Sequence, residues 1–187
     1  KLLSSRNIII NQLERKKKII NSFDKITKSK NLIIKFSDKL LEEVVNLVDN
    51  PSVILADFNK EYLEIPKEII ISTLQNHQRY FPCFNKNSEE LTNFFVIVAN
   101  KRDQNSLIKS GNKRVVEARL SDANFFWSRD KSKNLIKQIG NLKKIIFFDG
   151  LGSIYDKTQR LRALGGWLSD EFNISKEKVE IAASISK

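Results

Sequence analysis

The densest run of chemically capable side chains is His77-Gln78-Arg79-Tyr80-Phe81-Pro82, which sets an imidazole, an amide, a guanidinium and a phenol within four residues. Groups of these kinds contact phosphates and stack on bases. The same string suits a structural role, with His77 and Tyr80 closing a hydrogen-bond network beneath a helix while Phe81 fills the core. A catalytic histidine is a third reading, but no nucleophile accompanies it: the single cysteine, Cys83, lies six residues on in an apolar run, and no serine, histidine and acid set is in sight. One histidine and one cysteine also fall short of the usual nitrogen and sulfur zinc sites.

A second candidate is Gly111-Asn112-Lys113-Arg114. Placed at the start of a helix, its backbone amides, reinforced by Lys113, Arg114 and then Arg119, would suit a phosphate. The competing reading pairs Lys113 with Glu117 at i,i+4 and Arg119 with Asp122 at i,i+3, each worth a few tenths of a kcal/mol. Phe125-Phe126-Trp127 could stack on bases, yet three consecutive aromatics cannot share one helix face, and Trp127 continues an apolar stripe that predicts core packing. Lys157, Arg160 and Arg162 form a basic face opposite Leu161, Leu164 and Leu168, either merely solvated or a secondary RNA contact. No Walker-type glycine loop and no dinucleotide fingerprint occurs.

The elements that must position these groups follow from periodicity. Residues 4–21 predict an exposed helix with Ile9, Leu13 and Ile20 near helical spacing and the basic block Arg15 to Lys18 on its wet side, ended by the polar stretch 22–31. Residues 32–36 read as a strand, Ser37 and Asp38 as an N-cap, and Leu40, Leu41, Val44, Val45 and Val48 as the apolar stripe of a helix stopped by Asn50 and Pro51. Residues 53–58 form a strand, and Pro66 opens a helix in which Ile70, Leu74 and His77 share a face. Residues 79–84 follow as a short strand that Pro82 confines to an edge or a bulge. The unbroken run Phe94 to Val98 predicts a strand covered on both faces. Residues 100–111 are a polar connection, the stripe Val116, Leu120, Ala123 and Trp127 marks a helix from Asn112, and residues 143–148 extend before a last long helix. Gly165 and Gly166 inside that helix cost about 1 kcal/mol each relative to alanine and imply a kink or close packing.

An α+β or α/β fold follows, with a mixed sheet covered by helices over residues 1–139 and the start of an all-helical domain over 140–187. The 187 residues, 41% of them apolar, suffice for a buried core, and both ends read as cut within a longer chain. No apolar run approaches a membrane span, and one cysteine forms no intrachain disulfide, which together suit a soluble protein of the reducing cytosol. Lysine and arginine outnumber the acids 33 to 22, a net charge of +11 that favours polyanionic partners through counterion release. The bland alternative is a lysine-rich composition without a ligand.

Five strings in order, Leu41-Glu42-Glu43-Val44-Val45, the His77 to Pro82 run, Gly111-Asn112-Lys113-Arg114-Val115, Ala118-Arg119-Leu120-Ser121-Asp122-Ala123-Asn124-Phe125-Phe126 and Leu151-Gly152-Ser153, resemble the bacterial glycyl-tRNA synthetase beta subunit. The resemblance runs from about Leu40 to Arg162. It implies a ligase component of an alpha2beta2 assembly in the cytoplasm, in which ATP and Mg are used on the alpha subunit and the beta subunit serves tRNA binding and activity. This segment would then bind no cofactor and hold no catalytic residue, and its end would begin a helical part similar to HD phosphohydrolase folds. Lys113 stands where the family pattern is expected to be acidic. Two roles follow for the segment: a noncatalytic module that binds the backbone of tRNA(Gly), packs on the alpha subunit, or both, or a structural scaffold without RNA contact. The contact candidates are His77, Arg79, Tyr80, Lys113, Arg114, Arg119 and Arg160.

Overall fold

The computed structural model describes residues 7–187, which divide into two compact units, one reaching Trp127 and the other spanning Ser128–Lys187. In the first unit Asn11 caps helix α1 (Gln12–Lys30), its side chain accepting from the Leu13 and Glu14 amides, and Asn31 ends it in the left-handed region at φ 51°. Of the expected 4–21 helix, residues 4–6 lie outside the described residues and residues 7–11, Ile9 among them, are not helical, while the polar stretch after Asn21 does not stop it. Phe23 is buried and Ile26 half-buried, so the apolar stripe of Ile19 continues for two more turns while the polar residues face outward.

Strand β1 (Leu32–Ile34) leads into α2 (Asp38–Leu47), whose N-cap Ser37 accepts from the Leu40 amide at 3.2 Å. Then come β2 (Ser52–Asp57), a 3-10 turn (Lys60–Glu64), α3 (Lys67–Ser72) with a π-helical turn Thr73–His77, and strands β3 (Phe81–Asn85) and β4 (Leu91–Ala99). The sheet order is β1-β3-β4-β2, and every pairing is antiparallel. The α+β expectation is met, but the sheet is antiparallel and not mixed. Pro82 sits on an inner strand, at a shift of the β3–β4 register. On its β1 side the missing amide hydrogen leaves no bond unmade, because β1 pairs only as far as Cys83.

Both faces of β4 are covered, as its apolar run predicts. Val96 packs with Ile19, Phe23, Leu41, Val45 and Phe81 beneath α1 and α2. Phe95 and Ile97 pack on the opposite face with Phe58, Ile70, Leu74 and, from α4 (Leu107–Lys131), Val116 and Leu120. Phe23, Phe36 and Phe81 meet edge-on, with ring centroids 4.9 to 5.5 Å apart, the arrangement the ring quadrupoles favour.

In the second unit, α5 (Leu135–Gln138), a 3-10 stretch (Ile139–Lys144) and a two-stranded ribbon, β5 (Ile146–Phe148) with β6 (Gly152–Ser153), precede α6 (Ile154–Glu171) and α7 (Lys176–Ser184). The ribbon makes this unit not purely helical. The unit starts at Ser128, and α5 goes with it by packing on the 3-10 stretch. Ser153 and Asp156 form a reciprocal capping box at the start of α6. Gly165 and Gly166 mark close packing: an added Cβ would meet Val179 Cγ1 at 2.9 Å from Gly165, and Glu180 Oε1 at 3.1 Å from Gly166.

Candidate nucleic-acid and subunit interface

The His77 to Pro82 string forms the turn between α3 and β3. Arg79 takes φ 58°, a left-handed conformation, and this reversal swings the chain into the sheet. Its guanidinium is occupied from within: Nε donates to Glu43 Oε1 on α2 at 2.5 Å, and Nη1 donates to the Asn76 carbonyl. Tyr80 is buried, its ring stacked on Phe95 at 5.4 Å and its hydroxyl donating to Asn112 Oδ1. Asn112 in turn donates through Nδ2 to the Ile108 carbonyl at 2.7 Å. Burial raises the Tyr80 pKa, against the smaller opposing effect of the nearby Arg119 charge. Tyr80 is thus held to α4, and Phe81 is fully buried in the core as expected, whereas His77 is exposed at the end of the π turn and takes no part in the network expected of the two.

The Gly111 string does not open a helix. Helix α4 begins four residues earlier, at Leu107, and Asp103 already occupies the first amides, accepting from Ile108 at 2.7 Å and Lys109 at 3.1 Å. A phosphate cradle of free amides at Gly111 is thus overturned, since those amides lie inside the helical ladder. Lys113 reaches Asp57 Oδ2 at 2.9 Å, Lys109 reaches Asp57 Oδ1 at 3.2 Å, and the expected i,i+4 partner Glu117 is farther from Lys113, at 3.9 Å. The Lys113 hydrogen bond, aided by Lys109, holds the Asp57 carboxyl below its usual pKa despite partial burial, and Asp57 likewise raises Lys113. Asp57 was invisible to the sequence reading because it lies 56 residues away, brought to α4 only by the sheet.

Arg114 and Arg119 are exposed on α4 with no ion pair among the described residues, and the expected Arg119–Asp122 pair does not form. Between and beyond them the helix also exposes Leu107, Val115, Phe125 and Phe126. Trp127, expected in the core, is 38% exposed. At 25 residues α4 is roughly 37 Å long by its rise per residue and outruns the sheet that buries Val116 and Leu120. In the second unit Arg160 is exposed, while Arg162 pairs with Glu180 at 2.8 Å and Lys157 lies 4.0 Å from the centre of the Phe147 ring. Cys83 is fully buried, and burial pushes its thiol up to about 12.

The profile of the family described as Glycyl-tRNA synthetase beta subunit matches residues 1–187. The chain belongs to that family. It is 39% identical over 171 residues, 91% of its length, to the glycine--tRNA ligase beta subunit of Listeria welshimeri. It is 38% identical over all 187 residues to that of Buchnera aphidicola subsp. Acyrthosiphon pisum. The chain spans about a quarter of the length of these relatives, 25% and 27%. As a segment of a glycyl-tRNA synthetase beta subunit it contains, among the described residues, no helix long and apolar enough to cross a membrane and no group of three metal-ligating side chains.

Proposed function

We propose that this segment serves ATP-dependent attachment of glycine to tRNA(Gly) as a noncatalytic module of the beta subunit, by presenting an association surface to the alpha subunit that carries the ATP and Mg chemistry. The observation that carries this reading is the inward commitment of Arg79, Tyr80 and Lys113. Three of the polar groups best suited by type to touch RNA hold α2, α4 and the sheet together instead. What faces outward is the side of α4 remote from the core, where Leu107, Val115 and Phe125 stand exposed beside Arg114. Apolar anchors bordered by arginine are the composition of protein interfaces. The test is assembly of the full-length beta subunit with its alpha partner, followed by sedimentation. Val115→Asp with Phe125→Asp is expected to weaken association at least tenfold and lower glycylation in proportion. Unchanged assembly and unchanged glycylation would refute the reading.

Direct contact with tRNA(Gly) is a second reading, favoured by the two exposed and unpaired arginines on one helix, Arg114 and Arg119, with His77 and Arg160 also free to reach solvent. Binding of tRNA(Gly) to the assembled enzyme across a salt series tests it. Arg114→Ala and Arg119→Ala should each reduce the salt slope by about one if each neutralises a phosphate. A slope that neither substitution moves would leave α4 as an association surface alone.

A further inference from the structure

Helix α1 carries seven lysines and arginines against two acids, Glu14 and Asp24, both exposed on the face away from the core. Lys17, Lys25 and Lys28 fall with Asn21 on one stripe at spacings of three, four and eight residues, opposite the buried Ile19 and Phe23. All three lysines are exposed, and none makes an ion pair among the described residues. Asp24 stands four residues before Lys28 without closing to ion-pair distance, and Lys18 turns instead to Asn50 Oδ1 at 3.1 Å. Beside Lys18 the stripe opens into a cleft of about 610 Å³ lined by Asn7, Ser22, Asn50, Ser52 and Arg102, with no carboxylate among its lining residues. The cations thus continue from the helix into a polar hollow.

We propose that this stripe and cleft form a track for the phosphate backbone of an RNA strand, with Lys17, Lys25 and Lys28 along the helix and Lys18 and Arg102 at the cleft. Lysine is a compact charge on a flexible stem, suited to phosphates whose exact position varies. From Lys17 to Lys28 the stripe is about 16 Å long and includes no apolar side chain. Protein interfaces are depleted in lysine and centre on apolar anchors, so an acidic protein is the poorer match. That the polyanion is RNA rests on the proposed role in tRNA glycylation; that it is a phosphate chain rests on the charges alone. The surface is separate from the outward face of α4, so the two readings fail separately.

The experiment uses the assembled enzyme and measures binding of tRNA(Gly) and of an unrelated tRNA over a salt series. Replacing Lys17, Lys25 and Lys28 together by alanine is expected to lower the slope of log affinity against log salt by about three, equally for both tRNAs, because backbone contacts carry no sequence information. The triple arginine variant should restore the slope, which separates charge from folding. Arg102→Ala should remove about one more. A slope unchanged by the alanine variant would overturn the proposal, and so would a loss of alpha-subunit association with tRNA binding intact, which would mark the stripe as a protein contact.

Discussion

Arg79 distinguishes a structural clamp from an RNA contact, and the single cysteine supplies the probe. Arg79→Ala removes one ion pair with Glu43, whose two side chains are 38% and 41% exposed, so that solvent screening leaves it worth at most about 1 kcal/mol. It also removes the guanidinium's bond to the Asn76 carbonyl, worth about 1 kcal/mol more. Together they predict an opening free energy lower by roughly 1.5 to 2 kcal/mol, a factor of about 10 to 30. Cys83 is fully buried on β3, and its raised pKa keeps the thiol protonated at neutral pH, so an aromatic disulfide reagent reacts with it through opening of the first unit. The labelling rate of Arg79→Ala should therefore rise about 10- to 30-fold. Arg79→Gly loses the same contacts but relieves the left-handed φ of 58°, worth about 1 kcal/mol, which offsets the greater freedom of glycine in the unfolded chain. It should label no faster than the alanine variant, whereas glycine at an ordinary position is the worse substitute. Labelling unchanged by Arg79→Ala, with tRNA affinity reduced, would refute the clamp and make Arg79 an RNA ligand.

The Asp57–Lys113 pair predicts a stability plateau. The lowered Asp57 pKa contributes stability that is present above the ordinary carboxylate value of 3.8 and lost as pH falls through its folded value, while the raised Lys113 pKa contributes stability that is present below 10.5 and lost as pH rises through its folded value. Asp57→Asn should flatten the acid limb of the urea midpoint followed by circular dichroism, and an unaltered limb would count against the pair. The two helix glycines should respond in opposite ways to alanine. At Gly166 the added methyl meets the far ends of the long Glu180 and Lys176 side chains, whose small shift disturbs the Arg162–Glu180 pair, so the gain in helix propensity, about 1 kcal/mol, is partly offset and the thermal midpoint rises slightly. At Gly165 it meets a methyl of the stiff Val179 at 2.9 Å and lowers the midpoint relative to Gly166→Ala.

Local pattern made the start of α2 legible to the residue, because its stripe and its Ser37 cap agree, whereas the helix ends at Leu47, with Val48 already extended, before the expected stop at Asn50 and Pro51. The double burial of β4 was legible for the same reason, in an apolar run with no alternation. Polarity after Asn21 predicts a stop, but Phe23 and Ile26 still hold the stripe and α1 runs on to Lys30. The start of α4 escapes the local pattern because Asp103 lies four residues before Leu107 and accepts from two successive amides, a reach that the simple capping pattern does not include. At the candidate site the residue types were found, but their commitments were not. Glu43 for Arg79, Asn112 for Tyr80 and Asp57 for Lys113 are 36, 32 and 56 residues distant, and only the sheet order brings each pair together.

Strand β4 gives Val96 to one apolar cluster and Phe95 and Ile97 to the other, with no layer between them but its own backbone. Neither cluster can be wetted while the other stays dry, since detaching the strand strips a wall from both. The helices on the two sides are therefore bound into one cooperative unit, and slow amide exchange should report a single opening free energy for β2, β3 and β4 instead of separate values for each face. A weakening introduced on the α1 side would then be felt on the α4 side through the strand they share.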